Sequence, residues 1–214
     1  MDTVLLSKIK DFVSLHTSSF DASHNLSHAE RVFATCLKII DNTPHLSEYQ
    51  CLVICITALV HDVVDHKYNT ISNDELFSFI ASLYDSELAS DILTLIPNIS
   101  FSKQVNGHRQ LLSPPLQLCL DIVSDADRID ALGKHGLERC HQYAKHSCPA
   151  ATDDQLTKMV YDHCREKLLN LLPKGFIVTK KGKDLAQEGH NEVLDFVNQY
   201  ENSKIPLPLW NSLY

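Results

Sequence analysis

The sequence predicts an all-α protein built as one helical bundle. Apolar residues recur every three or four positions along most of the chain, as on the buried face of an amphipathic helix. Residues that favour helix starts, such as Ser and Pro, precede most of these periodic stretches. No repeat, low-complexity tract or linker interrupts the 214 residues, so we expect a single domain over 1–214 with its motifs within about 20–200.

The first three helices follow from apolar spacing and capping residues. Periodic Leu, Ile and Val residues predict a first helix that ends near His16. Either Asn25 or Ser27 is suited to cap the second helix, and Ser47 to cap the third. The third helix continues into the apolar run 51–60, whose length favours a buried central helix, although its β-branched residues also fit a strand.

The remaining helices are predicted from the same signals. Ser72 begins one helix and Ser86 another, which we expect to stop before Pro97 because proline lacks a backbone N–H. Pro114 begins the helix that carries an acidic segment at its end. Two long helices follow, over about 153–172 and 179–200. The apolar tail 201–214 is expected to pack on the body, with a partner-binding surface as the alternative.

Composition excludes several classes of protein. A formal net charge of −8 argues against general nucleic-acid binding, which needs a basic surface. No apolar stretch approaches the roughly 20 residues that span a membrane, and the N-terminus lacks the pattern of a signal peptide. The seven cysteines form no Cys-x-x-Cys pair and fit a reducing compartment. We therefore expect a cytoplasmic protein without a membrane or nucleic-acid partner; a homo-oligomer is left open.

Three segments offer imidazole and carboxylate ligands for a divalent metal. They are the His-containing segment 24–28, the doublet His61-Asp62 at the end of the apolar run, and the acidic segment 121–130. Each segment alone has a simpler interpretation. A single histidine is more often a surface or core residue, the doublet could cap a helix, and the acidic segment could be a solvated face.

Together and in this order, the segments resemble the HD-domain metal-dependent phosphohydrolase superfamily. The branch that is similar to bacterial deoxynucleoside triphosphate pyrophosphohydrolases matches in five places: Ser23-His24-Asn25-Leu-Ser-His28-Ala-Glu-Arg31-Val32, Ala58-Leu-Val-His61-Asp62-Val-Val-Asp65, Ile99-Ser-Phe-Ser102, Val123-Ser-Asp125-Ala-Asp127-Arg128-Ile-Asp130, and His163-Cys-Arg-Glu-Lys167-Leu-Leu. The resemblance implies an all-α HD-domain fold and hydrolysis of a phosphate compound.

The resemblance also implies a set of metal ligands. They are His28, His61, Asp62 and Asp127, which would hold one divalent ion, with manganese expected first and iron, nickel, cobalt, zinc or magnesium as alternatives. The residues around Asp127 are expected to orient the ligands or to form structural ion pairs with one another: Asp125, Arg128 and Asp130.

Asp65 is the candidate general base or water-positioning residue. It follows Asp62 by three residues, about one helical turn, and an acidic residue stands there in the related guanosine tetraphosphate hydrolases. The alternative is that Asp65 caps the helix or pairs with Lys67. Candidates for contacts with the substrate phosphates are Arg31, Lys67, Lys167, His24, His163 and His190, with Ser100 and Ser102 as further donors.

Two positions depart from the pattern of that branch, and they leave the substrate open. Asn25 stands where an Asp is usual, and Gly189-His190 stands where Arg-His is usual. The expected reaction is hydrolysis of a phosphoanhydride bond in a nucleotide, as by a nucleoside triphosphate pyrophosphohydrolase. Alternatives of the same fold are a nucleoside monophosphatase, a cyclic-nucleotide phosphodiesterase and a guanosine tetraphosphate hydrolase. From other classes, the chain could be a non-catalytic regulator that binds metal or nucleotide, or a structural scaffold.

Overall fold

A computed structural model describes residues 2–18, 25–64 and 71–202, and these are helical with no strand among them. The helices are α1 (Thr3–Thr17), α2 (Leu26–Ile40), α3 (Glu48–Val60), α4 (Asn73–Leu83), α5 (Ser86–Ile99), α6 (Phe101–Val105), α7 (Pro114–Asp130), α8 (Gly133–Ser147), α9 (Asp153–Glu166) and α10 (Lys180–Asn202). A short 3₁₀ turn, Leu168–Asn170, follows α9. The prediction of an all-α fold is confirmed.

The chain forms two compact units, Met1–Asp127 and Arg128–Tyr214. The first contains α1 to α6 and nearly all of α7, and the second contains α8, α9 and α10. The expectation of a single domain over 1–214 stays a prediction.

Helix α3 is the centre of the first unit. It packs against α1, α2 and α5, and every residue from Val53 to Val60 is buried. At its start, Ser47 and Gln50 form a capping box, in which each side chain accepts a hydrogen bond from the backbone N–H of the other residue. The apolar run is therefore a helix and not a strand. A helix with apolar residues on all sides needs neighbours all round, and α1, α2 and α5 provide them.

The second unit depends on two glycines at close helix contacts. A Cβ atom on Gly136 would lie 2.1 Å from the carbonyl oxygen of Ala131, which no side chain permits. A Cβ atom on Gly189 of α10 would lie 3.0 Å from Leu132 Cβ and 3.1 Å from the backbone nitrogen of Gly133. Helix α10 therefore approaches the start of α8 closely because position 189 has no side chain.

Two predicted helix ends were wrong. Helix α5 continues through Pro97 to Ile99, because a proline near the end of a helix removes only one late hydrogen bond. Helix α9 ends at Glu166 and not near residue 172. The Asn170 side chain donates to the carbonyls of Arg165 and Glu166, at 3.0 and 2.9 Å, and so satisfies the end of α9.

Helices α6 and α8 were not predicted from the sequence. Helix α6 has five residues and buries none of them, so it has no apolar stripe to detect. Helix α8 contains two glycines and many polar residues, which hide its buried face. The tail from residue 203 lies outside the described residues, so its expected packing is untested. None of the described helices is long and apolar enough to cross a membrane.

Thr57 of α3 provides a test of core packing. Its side chain is fully buried, and its hydroxyl has no hydrogen-bond partner among the described residues. Thr57→Val should therefore raise the free energy of unfolding, by up to about 1 kcal/mol in urea denaturation, because it replaces an unsatisfied hydroxyl by a methyl group. The matched control is Thr17→Val, since buried Thr17 donates to the Val13 carbonyl at 2.8 Å and should lose about 1 kcal/mol. Equal effects of the two variants would contradict this interpretation.

Candidate metal centre

His28 is held by the start of α2. The Asn25 side chain caps this helix and accepts a hydrogen bond from the backbone N–H of His28 at 3.2 Å. The cap fixes the first turn, and the His28 side chain projects from that turn into the interior, where the residue is only 2% exposed. Asn25 stands where the related branch usually carries Asp. Its amide lacks the negative charge of that carboxylate but still caps the helix.

His61 and Asp62 directly follow α3. The Nδ1 atom of His61 donates to the Ala58 carbonyl, one turn earlier, at 3.0 Å. A carbonyl can only accept, so the proton of the neutral ring is on Nδ1 and the lone pair is on Nε2. This hydrogen bond selects the tautomer and orients Nε2 as a ligand atom.

Four side chains converge at this point. The Nε2 atoms of His28 and His61 lie 3.3 Å apart. Asp62 Oδ2 lies 3.4 Å from each of them, and Asp127 Oδ1 lies 3.4 Å from the His28 nitrogen and 3.8 Å from the His61 nitrogen. The four residues come from α2, from the end of α3 and from α7, so the first unit brings together all four sequence-predicted ligands.

The spacing of these atoms fits a divalent metal ion. Ligands bonded at about 2.1 Å are separated from their neighbours by about 3.0 Å in an octahedral shell and about 3.4 Å in a tetrahedral shell. Asp62 Oδ2 is also buried without a hydrogen-bond partner among the described residues. A buried carboxylate oxygen without a partner costs free energy, and a cation bound by the same oxygen would offset that cost. The donor set of two imidazoles and two carboxylates suits a borderline or hard divalent ion.

The cluster couples its charges strongly. Burial alone lowers the pKa of His61, but the neighbouring carboxylates of Asp62 and Asp127 raise that pKa to about 9. Burial alone would raise the pKa of Asp127, but the neighbouring imidazoles of His28 and His61 hold it well below its usual range. A proton on the histidines therefore balances the carboxylates when no cation does so.

A cavity of about 450 Å³ opens beside the cluster, within the size range of small-molecule sites. His61, Asp62 and Asp127 form part of its wall. The rest of the lining is an apolar surface and a polar segment: Val64, Leu93, Ile96, Pro97 and Ile99, and then Asn73, Ser100, Ser102 and Lys103. Lys103 is the one cation among these described lining residues.

Lys103 and Asn73 were not identified from the sequence, whereas Ser100 and Ser102 were named as candidate donors. Nothing in the sequence around Lys103 distinguishes it from a surface lysine. Its place in the cavity depends on the turn from α5 into α6, where the Ser100 and Ser102 hydroxyls lie 2.9 Å apart.

The residues flanking Asp127 have structural partners. Asp125 is fully buried, one turn before Ile129. The pKa of the Cys36 thiol is raised mostly by burial, then by Cys55, and then by the charge of Asp125. Arg128 donates to the carbonyl of Phe176, and Asp130 forms an ion pair with Arg139. These contacts fix the end of α7 within the second unit. The expectation that the three residues orient the metal ligands stays a prediction.

The predicted substrate contacts are untested. Arg31 donates to the Ser27 hydroxyl on its own helix at 2.8 Å. His163, Lys167 and His190 lie in the second unit, where burial and the charge of Lys167 lower the pKa of His163, and burial lowers that of His190. The remaining predicted residues lie outside the described part of the chain: His24, Asp65 and Lys67.

The departure at Gly189 has a structural counterpart. The Cβ atom of an Arg at this position would lie 3.0 Å from Leu132 Cβ and 3.1 Å from the Gly133 nitrogen, so these neighbours would have to give by a few tenths of an ångström. The glycine and the close helix contact therefore accompany each other in this chain.

Known proteins share this fold. No model of a protein family matches the sequence. The sequence is 27% identical over 205 residues to the uncharacterized protein YpgQ of Bacillus subtilis (strain 168), over 91% of each chain. The fold matches the crystal structure of YpgQ in complex with ADP at a TM-score of 0.66, with 23% identity over 91% of this chain and 95% of that chain. It also matches an HD-superfamily hydrolase from Bacillus thuringiensis at a TM-score of 0.66, with 22% identity over 97% of both chains.

The chain therefore has the HD-domain fold, as the order of its motifs predicted. Its structure is similar to YpgQ over nearly the whole of both chains.

The charge coupling of His61 gives a pH dependence that can be measured on chelator-treated protein. A histidine whose pKa rises on folding stabilises the folded state fully below its unfolded value of about 6.5, and this contribution is lost as the pH rises through the folded value. With a folded pKa of about 9, the free energy of unfolding should fall by up to about 3 kcal/mol between pH 6.5 and 9.5. His61→Gln should weaken this slope, and the exposed control His146→Gln should keep it. The same slope in all three proteins would show that His61 is not the group responsible.

Proposed function

We propose that this protein is a metal-dependent phosphohydrolase that cuts a phosphoanhydride bond of a nucleotide. The observation that carries the proposal is the convergence of two histidine nitrogens and two carboxylate oxygens beside a cavity large enough for a small ligand, with His61, Asp62 and Asp127 in its wall. Such clusters without a ligand are costly, because buried polar groups need partners.

His28, His61, Asp62 and Asp127 would hold the metal ion. When bound, a divalent ion supplies a water of lowered pKa and neutralises charge on phosphoryl oxygens. In the chain itself, the Ala58 carbonyl holds the proton of the neutral His61 ring on Nδ1, which leaves Nε2 as the ligand atom, and Asn25 keeps His28 in place. Four protein ligands leave room for water and for one substrate oxygen.

Asp65 is the residue we assign to the attacking water, as general base or positioning group. It follows Val64, a lining residue of the cavity, and is three residues after the ligand Asp62. Lys103 with the hydroxyls of Ser100 and Ser102 would bind phosphate oxygens, because an ammonium group and hydroxyls donate hydrogen bonds to such oxygens. The apolar lining from α5 offers a surface for a nucleobase.

A nucleotide is the substrate class that this lining favours, because one side is apolar and the other carries donors and a cation. The complex of the similar YpgQ with ADP is in keeping with this class. Within this class, a nucleoside triphosphate that releases pyrophosphate is the specific substrate we propose, from the resemblance of the five motifs. Manganese is the ion we propose.

The first test is turnover with a panel of nucleoside mono-, di- and triphosphates in the presence of Mn²⁺. We expect release of pyrophosphate from a triphosphate, and loss of activity in His61→Ala, in Asp62→Ala and after chelation. The matched control His146→Ala removes an exposed histidine of the second unit and should keep full activity. Full activity in either ligand variant would overturn the metal assignment, and orthophosphate as the product would favour the monophosphatase alternative.

The second test separates metal binding from proton transfer. Asp65→Asn should retain Mn²⁺, measured by metal analysis, while kcat falls by roughly 10²- to 10⁴-fold, as for removal of a general base. Asp11→Asn, an exposed carboxylate of α1, is the control and should have no effect. If Asp65→Asn turns over at the rate of the unaltered protein, Asp65 has the structural role of a helix cap instead.

A further inference from the structure

The polar wall of the cavity belongs to a segment that cannot hold itself in place. Ser100, Ser102 and Lys103 lie at or within α6. This helix has five residues, none of which is buried, and helices of this length are not stable on their own in water. Something outside α6 must therefore fix the position of this wall.

Arg109 provides one connection. Its guanidinium group donates to Gln104 Oε1 of α6 at 3.1 Å and to the Ser124 hydroxyl of α7 at 3.0 Å. The same group lies 3.4 Å from the Asp121 carboxylate, which also accepts from Gln117 at 2.8 Å. One side chain therefore joins α6 to α7, and the planar arrangement of its donors gives the connection a defined direction.

The next residue provides a second connection, to α5. The backbone N–H of Gln110 donates to Asn98 Oδ1 at 2.8 Å, and the Asn98 amide donates to the Thr94 carbonyl at 2.8 Å. Asn98 is only 4% exposed. The chain after α6 is thus fastened to both helices that border the cavity.

The network of Arg109 reaches the helix that carries a proposed ligand. Ser124 precedes Asp127 by three residues on α7, so both side chains lie on the same side of that helix. The position of Arg109 is also costly, because its Nε is buried without a hydrogen-bond partner among the described residues. Buried ion pairs contribute little net stability, so packing alone does not account for this residue.

We infer that Arg109 is a positioning residue, which holds the α6 wall with Lys103 at a fixed place relative to the metal ligand Asp127. This inference rests on the proposed function, because it assigns the α6 wall to binding of the substrate phosphates. Arg109 acts through Lys103, Ser100 and Ser102 and does not itself need to contact the substrate.

The experiment compares nucleotide binding with metal binding in Arg109→Gln. With Mn²⁺ present, we expect the KM for the substrate and the Kd for ADP to rise by about tenfold, with kcat changed by less than about threefold and the Mn²⁺ affinity unchanged. In a Lys103→Gln background, Arg109→Gln should add little, because the two residues act on the same contact. Arg109→Lys should not restore binding, since one ammonium group cannot replace the three contacts.

A merely structural role makes a different prediction. It would lower the thermal midpoint and reduce kcat, ADP affinity and Mn²⁺ affinity together, and its effect would add to that of Lys103→Gln. Lys10→Gln is the matched control for loss of an ion pair, since it removes the 2.6 Å contact with Glu30 on α1 and α2 and should leave KM unchanged. If Arg109→Gln does not fold, Asp121→Asn weakens the same connection and should raise KM in the same direction.

The outcomes for the inference and for the proposed function can be separated. If the unaltered protein hydrolyses nucleotides but Arg109→Gln and Asp121→Asn keep its KM and its ADP affinity, only the inference fails. If the unaltered protein binds ADP without hydrolysing any nucleotide, the proposed reaction fails, and the ADP affinities of the variants still decide the role of Arg109. If it neither binds ADP nor hydrolyses a nucleotide, both fail.

Discussion

The packing of two buried imidazoles against two partly exposed carboxylates is the constraint on which the first unit depends. Such a cluster is stable only if its charges balance, either through a proton on the histidines or through a cation that all four groups share. The raised pKa of His61 and the lowered pKa of Asp127 correspond to the first case, a proton on the histidines. The spacing of the four atoms suits the second case, a shared cation, and we connect that cation with the proposed function.

The cluster and the polar wall of the cavity are held in different ways. Helix α3 is buried on all sides and ends at His61, so the doublet emerges from the most constrained element of the unit. The Asn25 cap fixes the backbone of His28 at the start of α2 in a similar way. The polar wall of the cavity does not lie on a buried helix, and it depends on side-chain contacts from Arg109 and Asn98. The proposed metal ligands therefore lie at well-packed helices, whereas the proposed phosphate-binding wall is held by a few hydrogen bonds.

The second unit shows how a departure in sequence can be structural. A Cβ atom at Gly189 would lie in tight contact with the start of α8, and Glu192 of the same helix accepts a hydrogen bond from the backbone N–H of Lys134 at 2.8 Å. The glycine and the carboxylate together fasten α10 to α8. The absence of an Arg at position 189 therefore has a packing reason in addition to any effect on substrate.

The sequence by itself determined the helical class and most helix starts, because capping residues and 3.6-residue periodicity are local signals. The four ligand candidates came from the order of the motifs and their resemblance to the HD-domain superfamily. It misplaced the end of α5, which tolerates a proline in its last turn, and the end of α9, where the Asn170 side chain satisfies the last carbonyls. It gave no sign of α6, which buries no residue, or of α8, whose glycines and polar residues hide its buried face. Only the tertiary structure placed the four ligand atoms within 3.3 to 3.8 Å of their neighbours and put Lys103 in the cavity wall. Distances between residues a hundred positions apart are decided by helix packing, which no local pattern encodes.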